Sequence, residues 1–99
     1  MFAIALSTYL VPMDEVQKHT DEHRAYLRAL HARGVLVASG PLVPRTGGAL
    51  LFCADSPEAV QALLSGDPFQ QRGIARYDVR MWDPGIGGDE LQGLVNARQ

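Results

Sequence analysis

His23 is the side chain in this sequence best suited to proton transfer. It lies among apolar residues at helical spacing, together with Val16, Thr20, Leu27 and Leu30. An imidazole on such a stripe is either a hydrogen-bonded core residue or the floor of a pocket, and position alone favours the core. In an apolar pocket, His23 would be able to act as a general base near neutral pH.

Asp67 is the carboxylate best placed by its neighbours to assist a histidine. It precedes Pro68, and Asp followed by Pro is typical of a helix start, with Asp as the N-cap. Capping does not exclude a second role, because one oxygen can accept a backbone N–H while the other faces a histidine. A carboxylate held in this way would orient His23 and stabilise its protonated form.

The stretch from Ser39 to Gly48 is rich in turn residues and predicts a long hairpin loop. It lacks the Lys-Ser/Thr pair that follows the last glycine of a phosphate loop. The functional alternative is the rim of a pocket, with Ser39 as a hydrogen-bond donor and Arg45 as an anion clamp. Tyr77, on the last predicted strand, would reach the same pocket, although packing is the commoner role of a tyrosine.

Residues 19–23 read His-Thr-Asp-Glu-His and match the H-x-x-E-H motif of inverted zinc proteases. Such a protease needs a further ligand and a substrate cleft, for which 99 residues leave little room. The single Cys53 excludes an internal disulfide and a cysteine-rich zinc site, and its place in a strand favours a buried, unreactive thiol. We therefore expect neither a metal nor a cofactor.

These candidates are positioned by a regular alternation of predicted strands and helices, punctuated by Gly and Pro. The predicted elements are a strand over Phe2–Leu10, a helix from Asp14 to Gly34, strands over Val35–Ala38 and Ala49–Ala54, a helix from Ser56 to Gly66, a short turn from Asp67 to Gly73, a strand over Ile74–Trp82, and a weak helix from Asp89 through Leu94.

The order β-α-β-β-α-β predicts an α+β, ferredoxin-like fold with a four-stranded antiparallel sheet. Residues 1–84 form the predicted domain, and residues 85–99 a flexible or weakly helical tail. Two helices cover only one face of such a sheet, whereas the first two strands are apolar on both faces. We therefore expect a homodimer that forms through the sheet face.

Composition limits the classes of function. The chain has 99 residues, 46% of them apolar, and a formal net charge of −2. Its basic residues are scattered, so no basic field for nucleic acid is visible. The N-terminus lacks the pattern of a signal peptide, and no run approaches the ~18 apolar residues of a membrane span. A cytoplasmic setting without membrane attachment is expected.

Six short motifs together resemble the YCII-related (YciI-like) family over about residues 1–84. The motifs, in chain order, are His23-Arg-Ala-Tyr-Leu, Gly34, Ser39-Gly40-Pro41, Gly47-Gly48, Asp67-Pro68-Phe69 and Gly73. The resemblance implies a dimeric α+β barrel, as in muconolactone isomerase and antibiotic-biosynthesis monooxygenase relatives. It also implies a pair formed by His23 and Asp67, with Ser39 and Gly40 lining the same cavity. One relative is a dehydrochlorinase acting on a chlorinated hydroxyhydroquinone with a His–Asp pair.

The favoured interpretation is a cofactor-independent enzyme in which His23 and Asp67 perform acid/base chemistry, of a lyase or isomerase type, on a small aromatic or phenolic molecule. Ser39, Gly40, Arg45 and Tyr77 are the expected substrate-binding residues. The alternative is a non-catalytic dimer that binds a small ligand or another protein, in which the pair only supports the core. Hydrogen-bond reach between the two side chains, and solvent access to His23, separate the interpretations.

Overall fold

Four strands and five helices alternate along the chain in the computed structural model, which describes residues 1–99. The strands are β1 (Phe2–Tyr9), β2 (Leu36–Pro41), β3 (Gly48–Cys53) and β4 (Ala75–Trp82). The helices are α1 (Met13–Lys18), α2 (Thr20–Ala32), α3 (Pro57–Leu64), α4 (Pro68–Gln71) and α5 (Gly88–Asn96). All strand pairs are antiparallel in the order β2-β3-β1-β4. The predicted α+β, ferredoxin-like fold is confirmed.

The main core lies between the sheet and helices α2 and α3. In β1, Ala3 and Ala5 are fully buried, and Ala5 pairs with Leu50 of β3 and Val79 of β4. Leu27 and Leu30 bring α2 onto this face, and burial of side chains this large contributes about 1.5–3 kcal/mol each. The period-2 pattern of the strands and the helical stripe of α2 thus meet in one core.

A second, smaller core fixes the short helix α4 against the start of β4. Its buried members are Val16 of α1, Phe69 of α4, Ile74 and Ala75. Tyr9 at the end of β1 packs against them. This cluster holds the Asp67–Phe69 turn in place beside α1 and α2.

The single helix predicted from Asp14 to Gly34 is wrong, because the chain breaks it at His19. His19 has φ −116° and ψ 5°, outside the helical range, and separates α1 from α2. The Thr20 hydroxyl donates to the Val16 carbonyl at 3.0 Å, a side-chain bond that bends helices. Asp14 is not the cap either, since α1 starts directly after Pro12 and places Asp14 in its first turn.

The other sheet face carries no helix and is apolar along β1 and β3. Ile4 pairs with Leu51, and both are partly exposed, while Leu6 is 40% exposed. Towards the β4 edge the same face becomes polar, with an exposed ion pair between Asp78 and Arg80.

Helix α5 begins at Gly88, one residue earlier than predicted, and continues to Asn96 rather than ending at Leu94. Its Val95 is buried, 2% exposed. The end of the tail lies against Gly34, where a Cβ would come within 3.2 Å of the Gln99 side chain. Gly34 also has φ +77°, so this position suits glycine on both counts. No helix in the chain combines the length and apolar character that a membrane crossing needs.

Candidate active site

A cleft of about 330 Å³ opens between helix α2, the β2–β3 hairpin and helix α4. Fourteen residues from all of these elements and from β1 line it. They are Ser7, Tyr9, Thr20, His23, Arg24, Leu27, Ser39, Gly40, Pro41, Arg45, Gly48, Ala49, Leu50 and Phe69. A volume of this size suits a small molecule.

His23 reaches the cleft because of its place on α2. It lies one helical turn before Leu27, which is anchored in the main core. The imidazole therefore follows the buried stripe of the helix to the point where the core gives way to the cleft. Its side chain is 13% exposed, and its Nδ1 lies 2.7 Å from Asp67 Oδ1.

Asp67 is the acceptor for three hydrogen bonds and is completely buried. Its Oδ1 accepts the Phe69 backbone N–H at 3.1 Å, which caps α4, and also faces His23 Nδ1. Its Oδ2 accepts the hydroxyl of Tyr77. Capping and contact with the histidine thus coexist on one carboxylate, and no buried side-chain polar atom in the chain lacks a partner.

The hydrogen bonds of Asp67 fix the tautomer of His23. A carboxylate only accepts hydrogen bonds, so Nδ1 carries the hydrogen and Nε2 of the neutral ring is the free acceptor. Nε2 has no partner within the chain and is not buried. His23 also lines the cleft.

Phe69 holds the imidazole plane. Its ring stacks on that of His23 with centroids 3.8 Å apart and an angle of 2° between the planes. Tyr9 meets the Phe69 ring edge-on at 6.2 Å. The Asp-Pro-Phe motif therefore supplies the partner for Nδ1 and the surface against which the ring lies. Sequence reasoning assigned no such contact to Phe69, because the stacking depends on how α2 and α4 pack.

Tyr77, an expected substrate-binding residue, is not among the residues that line the cleft. Its side chain points to the carboxylate behind His23 instead. Burial raises the pKa of the Tyr77 hydroxyl, and the negative charge of Asp67 and the hydrogen bond to it raise it further. Tyr77 is therefore a donor over the neutral pH range and completes the set of hydrogen bonds on Asp67.

The two histidines of the H-x-x-E-H motif bond to different carboxylates. His19 Nδ1 lies 3.1 Å from Glu22 Oε1, whereas His23 bonds to Asp67. Arg72, at the end of α4, binds both oxygens of Glu22, and this hydrogen bonding lowers the pKa of the Glu22 carboxyl. No group of three or more His, Cys, Asp or Glu side chains is arranged to hold a metal ion. The motif instead ties α2 to α4.

Ser39, Gly40 and Arg45 line the cleft on the side of the β2–β3 hairpin. Arg24 also lines it, although the sequence analysis did not select Arg24 as a site residue. The one signal in the sequence was its position next to His23. Arg24 is exposed and at the same time lines the cleft.

No curated protein matches the chain significantly. Among solved structures, 5-chloro-2-hydroxyhydroquinone dehydrochlorinase from Burkholderia phenoliruptrix AC1100, in complex with 2,5-dihydroxybenzoquinone, is similar with a TM-score of 0.73 and 24% identity. The match covers 90% of this chain and 100% of the other, and it shows a shared fold. The model of the YCII-related domain matches residues 1–83. The chain therefore belongs to the YCII-related domain family.

Proposed function

We propose that this protein is a small, cofactor-independent enzyme in which His23 transfers a proton and Asp67 orients it. The observation that carries the proposal is the 2.7 Å bond between His23 Nδ1 and Asp67 Oδ1, with Nε2 left free at a cleft. A structural histidine on this helix would need no free nitrogen at a cavity. The stacked Phe69 and the three bonds on Asp67 supply the preorganisation that such chemistry uses.

The reaction begins when Nε2 takes a proton from an acidic O–H or C–H of the substrate. The electron pair that remains moves into the substrate, and the imidazolium that forms is stabilised by the Asp67 carboxylate. In an isomerisation, His23 returns the proton to another atom. In an elimination, a group such as chloride leaves with an electron pair and the proton passes to solvent. Proton transfer of this kind accelerates reactions by about 10²–10⁴-fold.

The substrate that fits best is a single-ring phenol or a related enol. The structural neighbour's name describes dehydrochlorination of a hydroxylated aromatic ring, and that protein was captured with a dihydroxybenzoquinone. A cleft of about 330 Å³ is of suitable size for such a ring. Ser39, Gly40 and Arg45 are the proposed contacts for its oxygens.

The proposed assembly is a homodimer formed through the helix-free sheet face. A second copy is the proposed occupant because this face presents Leu6 at 40% and Trp82 at 42% exposure beside Ile4 and Leu51. Burial of such apolar surface is worth roughly 25 cal/mol per Å² before the costs of association.

The test is turnover and binding with 5-chloro-2-hydroxyhydroquinone and a panel of small phenols, with 2,5-dihydroxybenzoquinone as a binding probe. Chloride release and proton NMR of the products measure the reaction. His23→Gln is expected to lose about 10²–10⁴-fold in rate. His19→Gln is the matched control, because His19 does not line the cleft.

A substrate turned over equally well by the parent and by His23→Gln would overturn the acid/base assignment. Binding of panel members without turnover by the parent would favour the non-catalytic ligand-binding dimer. In that case, unchanged affinity in His23→Gln would also remove the histidine from the binding site.

A further inference from the structure

The charged side chains that line the cleft are all basic. Arg24 and Arg45 line it, and none of its fourteen lining residues is Asp or Glu. The chain as a whole carries a formal net charge of −2, so the basic lining of the cleft does not follow from an overall basic composition. Asp67 is completely buried behind His23 and does not line the cleft.

The two cleft arginines have no partner within the chain. Neither forms a hydrogen bond or an ion pair, so both guanidinium groups keep their donors free. Among the eight arginines only Arg72 and Arg80 are paired, and Arg24 and Arg45 are the unpaired ones that line the cleft. Guanidinium groups bind planar oxyanions through two parallel N–H donors. Two such groups at one small cavity, whose lining contains no carboxylate, form a binding surface for a negatively charged ligand.

The basic lining continues beyond the cleft into a second cavity. An adjoining groove of about 340 Å³ shares Arg24, Leu27 and Ser39 with the cleft and runs between α2 and β2. Its further lining includes Arg28 and His31 and again contains no acidic residue. Arg24 thus lies at the junction of two cavities, and both are lined by basic side chains.

We infer that the natural substrate is a small organic anion, whose carboxylate or ionised phenol oxygens are bound by Arg24 and Arg45 while its acidic hydrogen faces His23 Nε2. The part concerning His23 rests on the proposed function, whereas the binding of an anion does not. Proton transfer to His23 adds negative charge to the substrate, so the two arginines also favour the product of that step. Arg24 and Arg45 are then determinants of specificity for charge.

The test compares 2,5-dihydroxybenzoate with 2,5-dihydroxybenzamide, which share a ring and differ in charge. Binding is measured by calorimetry and by NMR of the arginine Nε–H groups, with inorganic phosphate as a third arm that detects general anion binding. The acid is expected to bind at least tenfold more tightly than the amide and phosphate. Arg24→Gln and Arg45→Gln should each weaken the acid by roughly tenfold, as expected for a charge-assisted hydrogen bond. Arg33→Gln, at the end of α2, is the matched control.

Equal binding of the acid and the amide would overturn the inference, and so would unchanged affinity in both arginine variants. If phosphate bound as tightly as 2,5-dihydroxybenzoate, the cleft would be a general anion site and the inference of an organic anion would be wrong. No movement of the Arg24 and Arg45 signals at millimolar acid would also contradict it. A failure of the proposed function gives a different result. In that case His23→Gln changes no reaction rate, while binding of the acid still depends on Arg24 and Arg45.

Discussion

Replacing Asp67 with alanine removes the acceptor of three hydrogen bonds from a completely buried position. The Phe69 N–H loses its cap, and loss of an N-cap costs about 0.5–2 kcal/mol. The Tyr77 hydroxyl and the His23 ring lose a charged acceptor, and such bonds contribute about 1.5–3 kcal/mol each. These losses do not add in full, because the same rearrangement around the missing carboxylate relieves all three. We therefore expect a loss of about 3–6 kcal/mol from the free energy of unfolding.

Asparagine at the same position separates geometry from charge. Phe69 N–H and His23 Nδ1–H both point at Oδ1, so the amide oxygen takes that place. The amide NH₂ then faces the Tyr77 oxygen, which is able to accept. The fold and the His23 tautomer are therefore retained at a cost of about 1 kcal/mol, while the negative charge that stabilises the imidazolium is lost.

Urea unfolding followed by circular dichroism measures the difference in the free energy of unfolding between the two variants. All samples are kept at one protein concentration, because the proposed dimer would make stability depend on concentration. Asp67→Ala should lie about 2–5 kcal/mol below Asp67→Asn in the free energy of unfolding. Asp55→Ala is the matched control, because its side chain is 95% exposed and a change within about 0.5 kcal/mol is expected. Alanine and asparagine variants of equal stability would refute the hydrogen-bond network described for Asp67.

Three further predictions concern the rest of the structure. Gly66→Ala should lower the free energy of unfolding by about 1–3 kcal/mol, measured in urea, because its Cβ would lie 2.5 Å from the Tyr26 hydroxyl; an unchanged midpoint would contradict this packing. Because the pKa of Tyr77 is raised in the fold, its contribution to stability is complete below about pH 10 and is lost as the pH rises further. Tyr77→Phe should therefore flatten the alkaline part of a stability-against-pH curve, and an equally steep curve would argue against the assignment. Leu6→Glu should convert the proposed dimer to a monomer in analytical ultracentrifugation. Leu10→Glu is the control and should leave the dimer intact, because Leu10 is 55% exposed and lies beyond the end of β1. A parent protein that is monomeric would refute the proposed dimer.

Much of the fold followed from local patterns. The alternation in β4 and the Asp-Pro start of α4 depend on short-range geometry, and the structure reproduces both. The break at His19 was not predictable in the same way, because neither Pro nor Gly marks it. A hydroxyl bond from Thr20 and the packing of α1 in the second core accompany it.

The proximity of His23 and Asp67 was anticipated before the structure, whereas the place of Arg24 at the cleft was not. Helical spacing placed His23 on the inward face of α2, and the Asp67-Pro68 signature identified a fixed carboxylate. The roles of Phe69 and Tyr77 depend on contacts between α2, α4 and β4. These contacts join residues that are distant in sequence, so local patterns do not predict them. For this reason the stacked Phe69 and the bond from Tyr77 to the carboxylate emerged only with the structure.

The most direct test of the central claim is long-range proton–nitrogen NMR of the histidine side chains, which reports the tautomer of each ring. Neutral His23 is predicted to carry its hydrogen on Nδ1, next to Asp67, and to have an unprotonated Nε2. The Nε2 signal is predicted to move when 2,5-dihydroxybenzoate is added. His19, outside the cleft, should not respond. A His23 ring protonated on Nε2 in its neutral form, or an Nε2 signal unmoved by a ligand that binds, would contradict the account.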